Sequence, residues 1–350
     1  TSGIINIVLK KNSKKGFNGI VTSNIGSHQR TNSSLNLSYQ KGKLNSFASY
    51  GIRQDERNRF NTLNRTYLDS AGSISGYYEE SGKLKARPFS QLLRGGMDFT
   101  LDEHNSIGWS GNYLPSRLTR NDLVKRYYRD ITSLLTSQSD RTRHAPATEH
   151  ETDATLYWQH DFKKEGQELR AEATVSSQGE DEKNYYTDIY NYPPKRSMYD
   201  NNWVYQTDRD QQITVDYSNP ISEKVKVELG YAGSFIQQDI DFYVEDFDTF
   251  LNRFVKNDLR SNRFLYKEGI HTFYGTYQRS YDAFSFSLGL RAEAAYTLVS
   301  LFTKDSAIRN QYFQLYPTLH LAHGLSKGEL QLNYSRRVNR PEGDEMNPFP

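Results

Sequence analysis

The side chains best placed to do chemistry here are eight histidines and 42 acidic residues, and there is no cysteine. Without Cys, the chain has no thiol nucleophile, no disulfide and no thiolate zinc site. The histidines His28, His104, His144, His150, His160, His271, His320 and His323 are scattered. His320 and His323 stand closest, but on a strand their odd spacing puts them on opposite faces, so they do not share a metal ion. His160-Asp161 reads as the flank of a turn. Asp239, Asp241, Glu245, Asp246 and Asp248 form an acidic run. Oxygen-rich segments can hold calcium, yet this run lacks the ordered spacing of a calcium loop, and a solvated loop accounts for it. Gly95-Gly96 and Gly108-x-x-Gly111 lie in strand-like sequence with no helix after them, so they do not cradle a phosphate. No catalytic residue, metal ligand or cofactor is expected, and the chain is not expected to be an enzyme.

Two aromatic stretches offer binding instead. Between residues 178 and 203 stand Tyr185, Tyr186, Tyr190, Tyr192, Tyr199 and Trp203. Exposed rings stack on sugar faces and flat chelates and give large contact area at low entropic cost. These six are the expected ligand-binding residues; the alternative is that they pack neighbouring loops together. Lys125-Arg126-Tyr127-Tyr128-Arg129 joins charge to rings and suits acidic head groups or an anionic ligand, unless it is simply a solvated loop.

The elements that position these residues follow from composition and periodicity. The chain has 350 residues, of which only 35% are hydrophobic, yet 13% are aromatic, with 26 Tyr. A disordered chain would be poor in aromatics and strongly charged. Here 44 basic residues balance 42 acidic ones, which also argues against nucleic acid as a partner. No stretch approaches the ~20 apolar residues of a membrane helix, and no signal peptide is visible. The dominant pattern is period-2 alternation. Leu93, Gly95, Met97, Phe99 and Leu101 oppose Arg94, Gly96, Asp98 and Thr100. Ile107, Trp109, Gly111 and Tyr113 repeat the pattern, as do Leu169, Ala171, Ala173 and Val175, and then Phe284, Phe286, Leu288, Leu290 and Ala292. Such alternation marks strands with one apolar and one polar face.

About 13 strands are expected by this reading. Short turns fall at 41–43, 102–105, 163–166, 219–224, 280–283 and 324–328. Longer loops are expected at about 54–88, 115–150, 178–203, 242–263 and 297–310. In an up-and-down sheet all the short turns collect at one end and all the long loops at the other. That asymmetry, with strands long enough for the ~9–11 residues that cross a bilayer, fits an all-β, antiparallel up-and-down transmembrane β-barrel in the bacterial outer membrane. Closing the sheet satisfies its backbone, and a polar lumen keeps average hydropathy low. Tyr39, Tyr50, Trp109, Tyr113, Trp158, Phe162, Tyr217, Tyr231, Phe284 and Tyr334 are candidates for the aromatic girdles. A structural or adhesive barrel, or a soluble all-β carbohydrate-binding protein, are the competing readings. An Asp–His contact at the long-loop rim would favour a hydrolase.

Both ends of the sequence carry a resemblance. Gly3-Ile4-Ile5-Asn6-Ile7-Val8-Leu9-Lys10-Lys11 resembles the last strand of the plug domain of TonB-dependent outer-membrane receptors. Asn12-Ser13-Lys14-Lys15-Gly16-Phe17-Asn18-Gly19 resembles the linker and first barrel strand of that family in Bacteroidetes-type bacteria. Tyr334-Ser335-Arg336-Arg337-Val338-Asn339-Arg340-Pro341, followed by Met346-Asn347-Pro348-Phe349, is similar to a mid-barrel signature of the same group. The resemblance implies a plug strand over 1–11, a linker over 12–16, and the N-terminal part of the barrel over 17–350. It implies a fragment holding about 13 of about 22 strands. It further implies uptake of a siderophore, glycan or peptide nutrient, energised by the TonB complex through a plug. The other partners it implies are the lipid bilayer, lipopolysaccharide and a surface lipoprotein.

Overall fold

A computed structural model describes residues 16–341 and 343–347, whose strands form one antiparallel sheet. The strands are β1 (Gly16–Ile25), β2 (Thr31–Lys41), β3 (Leu44–Gln54), β4 (Arg57–Leu68), β5 (Ile74–Thr100), β6 (Asn105–Arg129), β7 (Leu135–Asp161) and β8 (Glu168–Tyr192). After them come β9 (Pro194–Ser222), β10 (Val225–Asp248), β11 (Arg253–Lys256), β12 (Asn262–Ser280), β13 (Phe284–Leu301), β14 (Ser306–Leu325) and β15 (Gly328–Ser335). Thirteen of them form one path in which each pairs with the next along the chain, and β4 and β11 branch from it onto β5 and β10. Among the described residues β1 and β15 do not pair with each other. The fold is thus the expected up-and-down sheet, with its path left open. The expected plug strand (1–11) and nearly all of the linker (12–16) lie outside the described residues; Gly16 already opens β1.

Register fixes which side chains share a face, because residues directly opposite each other point the same way. One row runs Tyr39–Ser46–Met97–Trp109–Leu156–Ala173–Ile213–Gly233–His271–Ala294–Phe313 across eleven strands. It is apolar at almost every step. A row on the opposite face runs Asn36–Ser49–Arg94–Asn112–Asp153–Ser176–Asp210–Ile236–Glu268–Thr297 and is polar at all but one. Water suits the second face and hydrocarbon the first. Trp109, Leu156, Ile213, Leu229, Phe273 and Phe313 stand exposed on the apolar face. Contiguous exposed apolar area on this scale is what a sheet presents to lipid.

The expected short turns all lie at one end. Lys43 Nζ donates to the Leu101 carbonyl at 2.6 Å, Lys164 Nζ to the Ile221 carbonyl at 2.7 Å, and Lys224 Nζ to Asp282 Oδ1 at 2.8 Å, so adjacent turns are tied together. Gly42 (φ 57°) and Gly166 (φ 75°) supply the left-handed conformation these tight turns need.

The other end corrects the expectation of long loops. The segments 115–150 and 178–203 are continuous strand: β6 and β7 turn only at 130–134, and β8 and β9 only at Pro193. Likewise β4 pairs the outer part of β5, above the end of β3, and β11 pairs the outer end of β10. Strands β5 to β10 have 24 to 29 residues, so at ~3.3 Å per residue they reach roughly 80–95 Å, far beyond the bilayer. These extensions read as loops in sequence because both of their faces meet water, so no hydrophobic alternation marks them as strand.

Candidate functional site

The polar face of the extended strands carries a ladder of arginines and carboxylates. On β7, Arg141 and Arg143 share a face because they are two apart. Arg141 Nη2 donates to Asp200 Oδ2 at 2.9 Å, and its Nη1 reaches Asp188. Its guanidinium lies over the Tyr186 ring, 4.1 Å from the centroid. Arg143 Nε donates to Asp122 Oδ2 at 2.7 Å. One step nearer the membrane, Arg120 Nη1 donates to Glu182 Oε2 at 2.6 Å, and Asn184 Nδ2 bridges Glu182 and Asn202. Arg126 stands 3.7 Å from Glu80 and 3.8 Å from Asp188, and Arg260 is 3.6 Å from Asp200. Asp188, Asp200 and Glu182 are thus each shared by groups from different segments of the chain. Planar guanidinium forks are suited to this because they bind in two directions at once.

Electrostatics follow the geometry. Burial alone would disfavour the charge on Arg141, but the hydrogen bond and attraction from Asp200, with Asp188 behind it, outweigh that and raise its pKa. Glu180, beyond the apolar belt that ends at Val175 on β8, has a raised pKa because it is half-buried and faces Glu149 and Glu182. At the junction of β3 and β4, Lys85 and Arg87 both bond Glu56 and hold its carboxyl down to about 2. Asp55, beside it, bonds Arg57 at 3.2 Å and Arg30 at 3.4 Å. These pairs lock the point where β4 takes over from β3.

The six expected binding residues do not converge. Tyr185, Tyr199 and Trp203 continue the apolar-face parity and point to the outside of the sheet. Tyr186 points to the polar face under Arg141. Tyr190 and Tyr192 sit at the tip, past a register irregularity between Asp188 and Tyr190. The outward three join other rings: Trp203 stacks on Tyr243 (centroids 4.7 Å), Tyr199 meets Phe247 edge-on (5.9 Å), and Tyr185 lies 6.3 Å from His144. Tyr190 packs with Met198 and lies under Lys195. In sequence they form one cluster, but a strand sends neighbours to opposite faces. The same rule divides the basic stretch: Lys125, Tyr127 and Arg129 point outward, and Arg126 and Tyr128 point to the polar face.

Four of the five residues of the acidic run, all on β10, have local partners. Asp239 bonds Arg263 (3.1 and 3.0 Å), Glu245 accepts from Asn201, Asp246 pairs with Arg260 and Asn257, and Asp248 caps the backbone of Phe250 and Leu251. His320 and His323 fall on opposite faces as expected, with His320 against Asn333 at 2.8 Å. At the far end His144 contacts Asn121 rather than a carboxylate.

Sequence reading did not anticipate the path after β15. The chain leaves the sheet and crosses the polar face. Arg336 Nη1 donates to the Leu315 carbonyl at 3.2 Å, and Arg340 reaches Glu293 and the Tyr312 hydroxyl. A short helix, α1 (Gly343–Met346), ends this strap against β10 and β12. A Cβ on Gly343 would lie 2.3 Å from Gln238 Oε1 and 3.1 Å from Tyr266 Cδ1, so a larger residue there would displace the Gln238 amide and crowd the Tyr266 ring. The Arg-Arg spacing was visible in the sequence, but its target, a buried Glu293 on another strand, was not.

An up-and-down sheet with one lipid-facing and one water-facing side defines this protein as a bacterial outer-membrane β-barrel protein. It belongs to the outer membrane protein beta-barrel family, whose model matches residues 160–350. No curated protein sequence matches the chain. Similar solved structures include the ferric yersiniabactin uptake receptor FyuA from Yersinia pestis: 9% identity, TM-score 0.30, covering 93% of this chain and 68% of that one. The translocator domain of the autotransporter NalP from Neisseria meningitidis has 11% identity and TM-score 0.26, covering 85% and 84%. The outer membrane protease OmpT from Escherichia coli also has 11% identity and TM-score 0.26, covering 84% and 96%.

Proposed function

We propose that this chain forms the N-terminal part of the barrel wall of a TonB-dependent receptor of the Bacteroidetes type. It would import a siderophore, glycan or peptide nutrient too large for a porin. The observation that carries this reading is the Arg–carboxylate ladder on the water-facing side of strands that extend far past the bilayer. An open thirteen-strand path is already wider than the ~8 strands whose interior side chains fill, so the complete barrel leaves room for a plug. Ligand would be taken up on the ladder and on the tip rings Tyr190 and Tyr192, and a plug driven by TonB would admit it. The barrel itself performs no bond chemistry in this reading. Uptake of a panel of labelled siderophores, oligosaccharides and peptides by cells carrying the complete gene tests it. Loss of uptake on deleting TonB is expected, and TonB-independent uptake or none at all would overturn it.

A second reading, an adhesive barrel, draws on the outward rings Trp203, Tyr243, Tyr199 and Phe247, which face away from any lumen. Cell adhesion that survives TonB deletion and is lost in Trp203→Ala would favour it.

A further inference from the structure

Just past the apolar belt, the outward face carries a row of cations without carboxylate partners. Register places Ser177, Arg209, Gln237, Lys267, Leu298 and Arg309 side by side on β8, β9, β10, β12, β13 and β14. The cations therefore stand on alternate strands, roughly 9.6 Å apart at ~4.8 Å per strand. Arg209 and Arg309 are exposed and Lys267 is half-buried. Among the described residues none of the three has an ion-pair partner. The nearest outward acid, Asp239, is held by both Nε and Nη2 of Arg263.

Position says what such a row meets. The same strands present Ile213, His271 and Phe313 to hydrocarbon. Arg209 and Arg309 lie four residues further along their strands, about 13 Å at ~3.3 Å per residue. That is the depth at which acyl chains give way to head groups. A cation facing the lumen would serve a ligand, but one facing outward here is surrounded by lipid head groups. Its long stem lies along apolar surface while its charge reaches the polar layer. Arginine and lysine are the side chains that recognise phosphate.

We propose that Arg209, Lys267 and Arg309 form a binding row for the phosphate groups of outer-leaflet glycolipid. The site rests on the outer-membrane location alone and is independent of whether the barrel transports. Its spacing suits a head group with separated phosphates, or two neighbouring lipids, rather than a single small anion.

The test uses the full chain purified in detergent. Binding of diphosphoryl lipid A and of its dephosphorylated form is measured by native mass spectrometry and by fluorescence titration. Each cation near an anionic surface contributes roughly fivefold, so all three together give on the order of 100-fold. Wild type should prefer the phosphorylated lipid by that factor, and Arg209→Gln/Lys267→Gln/Arg309→Gln should remove the preference. Lys163→Gln/Lys327→Gln, at the short-turn end, should leave it intact. Equal affinity of wild type for the two lipids would overturn the proposal, and that result does not depend on any variant folding. Displacement of the lipid by millimolar inorganic phosphate would also overturn it, because it would mark a free-anion site.

Discussion

Replacing Arg141 with Ala removes the pivot of the ladder. Arg141 makes two charge-assisted contacts, to Asp200 at 2.9 Å and to Asp188, and covers the Tyr186 ring. Its side chain is 21% exposed, and those of Asp188 and Asp200 are 13% and 12% exposed, so solvent screens the pairs only in part. Bonds to charged groups contribute ~1.5–3 kcal/mol each, a gross loss of ~3–6 kcal/mol. Two cations stay behind, Arg126 at 3.8 Å from Asp188 and Arg260 at 3.6 Å from Asp200. Both can close in on the freed carboxylates, which leaves a net cost of about 2 kcal/mol. The loss is local because the extensions lie outside the bilayer. It should appear as roughly 30-fold faster opening of amides around 139–143 and 184–200, read by hydrogen exchange in nanodiscs. Amides of the lipid-facing segments should not change. Arg141→Gln with Asp200→Asn should restore part of the protection. Unchanged exchange at the ladder, or an equal change throughout the sheet, would refute the reasoning.

Other outcomes follow from the two-faced sheet. Ile213→Arg places a charge against acyl chains and should destabilise the barrel by ~2–4 kcal/mol in reversible urea unfolding, whereas Ser176→Arg on the polar face should cost far less. Brominated acyl chains should quench Trp109 and Trp158 but not Trp203; single-Trp variants check this, and quenching of Trp203 would place the bilayer wrongly. Glu56, held down to about 2 by Lys85 and Arg87, stabilises the β3–β4 junction. That contribution should be complete above its ordinary pKa of 4.5 and be lost as pH falls from 4.5 toward about 2. Glu56→Gln should abolish this window in amide exchange measured across the range.

How much was legible before the structure differs by region. Alternation between Leu93 and Leu101 and between Leu169 and Val175 gave strand, face and turn directly, because lipid on one side and water on the other impose a contrast at every residue. The extensions gave no such contrast, so β6 to β9 read as loops although they pair to their tips. The six aromatics of 178–203 read as one cluster because sequence has no faces. The pleat sends Tyr186 inward and Tyr185 outward, and only Tyr186 joins the ladder. Arg141, Asp188 and Asp200 are far apart in the chain and individually unremarkable, so no local pattern marks them.

The sequence alone therefore determined the class of architecture, the end at which the short turns collect, and the absence of thiol chemistry from these 350 residues. These depend on local periodicity and composition, which need no partner strand. Cross-strand register decided the rest: the Arg–carboxylate ladder, the capture of Glu293 by Arg340, and the outward row of Arg209, Lys267 and Arg309. A contact between strands depends on which residue lies opposite which, and a slip of one position would turn every one of these side chains to the other face.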